Sequence, residues 1–131
     1  MIDIRDAFSG FSVDDVGAAR EFYGSKLGLA VDDEPGAGGL RLSLPSGQPV
    51  FIYPKPDHEP ATFTILNFVV PDIEKAVDAL NAAGVVTKIY SEGSAFGTDE
   101  RGIVRSSESN PGPNIAWFRD PAGNVLSIIE M

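Results

Sequence analysis

The sequence predicts an α+β protein built from two βαβββ modules, and three observations carry that prediction. GFSVDDVGAAREFYGSKLGL, from Gly10, aligns with NFVVPDIEKAVDALNAAGV, from Asn67, at one constant offset: Phe11 on Phe68, Val13 on Val70, Asp15 on Asp72, Val16 on Ile73 and Ala19 on Ala76. An internal repeat is the simplest account. Each copy also changes, at its acidic residue, from a short apolar run to the spacing of an amphipathic helix. Finally, Pro45-Ser46-Gly47-Gln48 precedes an apolar run in the first half as Pro121-Ala122-Gly123-Asn124 does in the second. Proline fixes φ and the following glycine accepts the positive φ of a tight hairpin, so the halves share a turn as well as a helix.

In chain order, the first helix is predicted by Val16, Ala19, Tyr23 and Leu27. Asp14 or Asp15 can accept from its first free N–H groups, and Gly28 suits the left-handed turn that ends it. Strands follow at 29–33, 39–44 and 49–53. PKPDHEP, residues 54–60, is too rich in proline for either element and reads as a linker between modules 1–56 and 61–131. In the second module Asp72 caps a helix patterned by Ile73, Ala76, Val77, Leu80 and Ala83, with Gly84 at its end. Strands are predicted at 85–91, 115–119 and 125–130. Residues 92–114, rich in Gly, Ser, Asp and Glu, read as an irregular stretch, either a functional loop or plain surface.

The 131 residues suit one domain with a real core, at 43% hydrophobic content. With no cysteine and a single histidine, the chain has no disulfide, no thiolate metal site and no mononuclear site needing two of its own imidazoles. A net charge of -9 opposes binding to nucleic acid or anionic lipid and favours a cationic small ligand. No run of about 18 apolar residues is present to span a bilayer. MIDIRDAFSG lacks the order of a secretion signal, so a cytoplasmic location is expected.

A paired βαβββ repeat with FY in the first helix, LGL after it and a late FRDPAGN resembles the vicinal oxygen chelate superfamily, the glyoxalase, bleomycin-resistance and extradiol dioxygenase group. The resemblance covers nearly the whole chain. It implies curved mixed sheets around a cleft, helices on the outer face, and pairing into a homodimer. Metal-dependent members of that group place His or Glu ligands on four strands. Carried onto this chain residue by residue, those positions are Phe8, Phe51, Ile65 and Ser127. Three hydrocarbon side chains and a hydroxyl cannot replace the hydration shell of a divalent cation, so neither a metal nor another cofactor is expected.

Strand alternation tests the register, since a slip of one residue would turn every side chain to the other face. With those four positions facing the cleft, Phe11, Val13, Leu40, Leu42, Leu44, Val50, Ile52, Leu66, Phe68, Val70, Phe118, Leu126 and Ile128 fall on the face that the helices must cover. The cleft then receives Asp6, Phe8, Ser12, Arg41, Ser43, Phe51, Tyr53, Phe63, Ile65, Asn67, Trp117, Arg119, Ser127 and Ile129. Trp117 should stand opposite Ser127 and Arg119 opposite Val125. Apart from Asp6, Ser12, Ser43 and Ile129, these are the candidate ligand-binding residues: ring walls with scattered polar groups, suited to a small organic molecule. The same rings could instead pack together and close the cleft.

The expected function is a metal-free binder of an apolar or cationic organic molecule, similar to the antibiotic-sequestering members of the group. The alternatives are a lyase, isomerase or dioxygenase, metal-dependent or not, and a non-catalytic dimerisation or regulatory domain. Three further residues read as structural or solvated. His58 is a linker histidine beside Asp57 and Glu59, Asp120 accepts backbone N–H bonds in its turn, and Glu130 points to solvent. Thr98-Asp99-Glu100-Arg101 reads as surface loop, with Phe96 as an alternative lid.

Overall fold

The acidic residue that ends each repeated apolar run is a helix N-cap in both halves. Asp15 Oδ1 accepts from the Ala18 N–H at 3.0 Å and Asp72 Oδ1 from the Lys75 N–H at 3.2 Å, satisfying donors that a helix start leaves free. The computed structural model describes residues 1–36, 38–90, 97–109 and 111–131. Its contacts divide the chain into two units, Met1–Glu59 and Pro60–Met131.

In the first unit β1 (Ser9–Val13) leads into α1 (Val16–Arg20), which continues as a π-helical segment, Glu21–Lys26. Strands β2 (Ala30–Glu34), β3 (Gly39–Ser43) and β4 (Pro49–Pro54) follow. The second unit holds β5 (Thr64–Val70), α2 (Ile73–Ala82), β6 (Ile103–Val104), β7 (Ile115–Arg119) and β8 (Val125–Glu130). The sheet orders are β1-β4-β3-β2 and β5-β8-β7-β6. In each sheet the module's first strand runs parallel to its last and the other pairs are antiparallel.

The duplicated plan read from the repeat is therefore present, and it extends to individual bonds. Leu44 N–H donates to Gln48 O at 3.0 Å and Gly47 N–H to Leu44 O at 2.8 Å; Asp120 N–H donates to Asn124 O and Gly123 N–H to Asp120 O, both at 3.0 Å. Gly47 and Gly123 have φ of 91° and 85°.

The faces chosen by alternation hold in part. Val13, Leu40, Leu42, Val50 and Ile52 are buried in the first unit, and Phe118, Leu126 and Ile128 in the second, each large side chain contributing about 1.5–3 kcal/mol of burial; Phe11, Leu44, Leu66, Phe68 and Val70 are only half-buried. The first helix departs from prediction in part. Of the predicted stripe Ala19 and Tyr23 are buried and Val16 and Leu27 half-buried, while Phe22, which the spacing did not include, is buried beside Tyr23. The cause is the π turn, seen in the Leu27 N–H bond to Phe22 O at 3.0 Å. One extra residue per turn shifts the apolar stripe, and both rings of the FY pair reach the core.

Several expectations in the second unit are corrected. Residues 85–90 form no strand, although VVTKIY has strand composition. Side chains hold this segment instead. Asn81 Nδ2 donates to Val85 O at 2.9 Å, Thr87 Oγ1 to Arg101 O at 2.7 Å, and Lys88 Nζ to Thr98 Oγ1 at 2.6 Å. The place beside β7 belongs to β6, inside the stretch expected to be irregular. Glu130 does not point freely to solvent. It ends β8 beside the start of α2, where Oε2 accepts from the Ile73 N–H at 2.8 Å and Oε1 from Asn114 Nδ2 at 2.9 Å. A carboxylate there meets the positive end of the helix.

The run 98–101 is likewise no plain surface loop. Thr98 is buried, its hydroxyl donating to Tyr90 O at 2.8 Å. Arg101 pairs with Glu74 and Asp78 of α2. Phe96 lies outside the described residues. Among those described, no helix is long and apolar enough to cross a membrane.

Candidate functional site

In the first unit the strand register aligns Gly10, Phe51, Arg41 and Asp32 in one row across the sheet, and Ser12 beside Tyr53. This is the face away from the buried set. The Phe51 and Tyr53 rings stack, with centroids 5.7 Å apart and planes at 22°. A Cβ on Gly39 would stand 3.0 Å from Phe51 Cε2 and 2.4 Å from the Ile52 carbonyl oxygen. Glycine at 39 thus leaves the space that the Phe51 ring takes beside the neighbouring strand.

Phe8, Glu34, Arg41, Pro49 and Phe51 line a groove of about 290 Å3. Phe8, just before β1, is 67% exposed and Tyr53 is 36% exposed. Arg41 Nε donates to Glu34 Oε2 at 3.1 Å, leaving a half-exposed ion pair in the groove wall. Glu34 and Pro49 were not among the sequence candidates. Glu34 shares a strand face with Asp32, which strand parity could have indicated.

His58 is not a solvated linker residue. It is half-buried, with Nδ1 2.6 Å from Ser12 Oγ. The linker turns back onto β1: Lys55 N–H donates to Val13 O and His58 N–H to Lys55 O, both at 3.0 Å. Lys55 Nζ donates to Asp57 Oδ1 at 2.7 Å. That hydrogen bond holds the Asp57 carboxyl below its ordinary value and raises the Lys55 ammonium.

The second unit's corresponding face is built differently. Trp117 stands opposite Ser127 and Arg119 opposite Val125, as hairpin geometry predicts, and Asn67 is level with Ser127. Yet Trp117 is only 6% exposed. Its ring meets Tyr90 edge-on at 5.3 Å, and its indole N–H donates to Thr64 Oγ1 at 3.1 Å. Ser127 is 0% exposed and its hydroxyl donates to Asn67 Oδ1.

Thr64 reaches this face because the β5–β8 register shifts between Thr64 and Leu66. Simple alternation through Phe63, Ile65 and Asn67 therefore fails: a bulge adds one residue and reverses parity beyond it. Phe63 lies before β5 at 69% exposure, Ile65 is half-buried within the shift, and Arg119 is exposed. Asp120 fills the turn role expected of it. Oδ1 accepts from the N–H groups of Ala122 at 3.0 Å and Asn124 at 2.9 Å, and Oδ2 accepts from Asn124 Nδ2 at 3.0 Å.

None of the four positions that the resemblance pointed to carries a side chain of the kind that binds a divalent cation. Phe51 is part of a ring stack, Phe8 and Ile65 offer hydrocarbon, and the Ser127 hydroxyl is buried against Asn67. Among the described residues no three His, Cys, Asp or Glu side chains are grouped so as to hold a metal ion.

Solved structures share this fold across nearly the full chain. A glyoxalase family protein from Enterococcus faecalis superposes with a TM-score of 0.64 at 22% identity, covering 96% of this chain and 98% of its own. A member of the glyoxalase/bleomycin resistance protein/dioxygenase superfamily from Sphaerobacter thermophilus gives 0.67 at 20% identity, covering 96% and 98%. An integron cassette protein from the mobile metagenome of a Halifax Harbour sewage outfall gives 0.67 at 17%, covering 98% and 100%. At these identities the likeness shows the fold alone. No curated protein matches the chain. The family model described as Glyoxalase/Bleomycin resistance protein/Dioxygenase superfamily matches residues 7–128, and the chain belongs to that superfamily.

Proposed function

We propose that the protein is a metal-free small-molecule binder that holds an apolar or cationic organic ligand against the ring-lined sheet face of its first unit. The observation that carries this reading is the Phe51–Tyr53 stack beside the groove of Phe8, Glu34, Arg41 and Pro49. Stacked rings offer a wide apolar surface to a planar ligand. Asp32 and Glu34 place two carboxylates near the single guanidinium of Arg41, so the local balance favours a cation, in keeping with the net charge of the whole chain. The donor chemistry at the four ligand positions supports the metal-free part.

The reading includes a homodimer, for which exposed Phe8, Phe63 and Val69 supply apolar surface. A chemically matched pair of probes tests the ligand class. 2-Naphthylmethylammonium should raise the unfolding temperature of the full chain and 2-naphthoate should raise it less, because a ligand bound only to the folded state stabilises by mass action. No shift with either compound, or a larger shift with the carboxylate, would count against it. So would a stoichiometric, tightly held transition metal in protein purified without chelator.

A further inference from the structure

We infer that Ser12 and His58 form a nucleophile–base pair that accepts an acyl group from an aromatic ester. Ser12 lies on β1, beside Tyr53 in the register and on the same face as Phe51. Its Oγ is 2.6 Å from His58 Nδ1, a contact made across 46 residues of chain. Both side chains are half-buried, and so partly shielded from water while still within reach of a small molecule.

An activated serine needs a base within hydrogen-bond reach, and this distance meets that requirement. The base is also held in place. The Lys55-to-Val13 and His58-to-Lys55 backbone bonds fold the linker against β1 and fix where the imidazole stands. Asp57 and Glu59 flank His58 in sequence, and Lys55 answers only one of those charges. The aromatic part of the substrate rests on the ring surface of the proposed function above: the groove reaches Phe51, Tyr53 stacks on Phe51, and Tyr53 is level with Ser12, so a ring laid on Tyr53 brings its ester carbonyl to the Ser12 side.

The reaction balances with water as the only co-reactant. With the resting proton on Nε2, the Ser12 hydroxyl donates to Nδ1. Oγ attacks the ester carbonyl carbon, the Oγ–C bond forms and the hydroxyl proton moves to Nδ1. The C–O bond to the leaving group then breaks, and that oxygen takes the proton from Nδ1 to depart as an alcohol. Water attacks the acylated serine in the same way, releasing the carboxylic acid and restoring Ser12.

Two sulfonyl fluorides test this on the full chain by intact mass and peptide mapping. Methanesulfonyl fluoride has no ring, and phenylmethanesulfonyl fluoride adds one. Both should modify Ser12, the ringed probe up to about tenfold faster given the value of aromatic contact. His58→Gln should slow both by about 100-fold, the lower end of general-base effects, and Ser12→Ala should carry no adduct. Circular dichroism of the variants reports folding, while mapping on the unmodified sequence needs no variant at all. His58-dependent labelling with no preference for the ringed probe would leave the pair standing and overturn the ring platform. Labelling elsewhere, none at Ser12, or an equal rate in His58→Gln would overturn the pair whatever the groove binds.

Discussion

The two sheet faces away from the helices follow one plan and reach opposite ends. On the first, Phe51 and Tyr53 stack beside a groove, and Arg41 and Glu34 meet at its wall. On the second, the ring and hydroxyl that looked most like ligand contacts are used internally: Trp117 bonds Thr64 under the edge of Tyr90, and Ser127 bonds Asn67. Duplicating a module duplicates its backbone, but each copy allots its polar atoms separately. Residue type alone therefore marks a face and leaves open whether that face is free.

The edge beyond each hairpin differs as well, and the largest expected effect lies there. The first unit uses a five-residue strand, β2, while the second has the two-residue β6 together with a segment fixed by side chains. Gly102 makes that substitute possible. Its φ is +86°, and a Cβ would stand 1.8 Å from the Thr87 carbonyl oxygen. Gly102→Ala should cost about 3 kcal/mol or more, because strain at positive φ adds to a backbone clash that no rotamer relieves. Urea unfolding measures it, and a loss under about 1 kcal/mol would mean that the 85–90 segment moves freely.

The matched hairpins give the next effect. Asp120→Ala leaves the Ala122 and Asn124 donors without their buried acceptor and should cost about 2–4 kcal/mol. In the first hairpin, Ser46 Oγ accepts from the Gln48 N–H only at 3.4 Å and in an exposed turn. Ser46→Ala should stay within about 0.5 kcal/mol. Equal losses in the two unfolding curves would refute the view that the second turn alone depends on its carboxylate.

A smaller effect, on ligand affinity, sharpens the contrast between the faces. Phe51→Ala should weaken 2-naphthylmethylammonium binding by about tenfold, the upper range for one aromatic contact. Trp117→Phe should leave that affinity unchanged and lower stability by about 1 kcal/mol, the worth of the lost bond to Thr64. Calorimetric titration of both variants decides it; affinity lost with Trp117 and kept without Phe51 would move the site to the second unit.

Much of this was legible in residues 10–28 and 67–84, where capping aspartates, helical spacing and terminal glycines agree across the repeat. The hairpin partners Trp117 and Ser127 followed from the turn alone. Legibility stopped where one extra residue entered an element. The π turn after Arg20 added Phe22 to the core beside the predicted Tyr23, and the β5 shift brought Thr64 to Trp117 in place of Ile65. Neither insertion has a local signature, because tertiary packing selects it. Contacts between distant residues were equally hidden. Composition gave no reason to join Ser12 to His58, Glu130 to the start of α2, or Arg101 to Glu74 and Asp78.

The smallest effect is a pH dependence, and it again sets one unit against the other. Burial alone would raise the Asp99 carboxyl, but the N–H groups of Ile103 and Arg101 and the Arg105 guanidinium outweigh it and hold the carboxyl below its ordinary value. A depressed folded value means that the unfolded chain binds the proton more readily. The stabilisation is complete above the ordinary aspartate value of about 3.9 and is lost as pH falls through the lower, folded one. Asp99→Asn should therefore unfold at a lower temperature than the unmodified chain at pH 7, with the gap narrowing once pH passes below about 4. Asp57, lowered by its hydrogen bond to Lys55 but fully exposed, should show no such gap when changed to Asn, since solvent screens an open pair. A gap for Asp99→Asn that stays constant down to pH 3 would show that its carboxylate charge contributes nothing to holding β6.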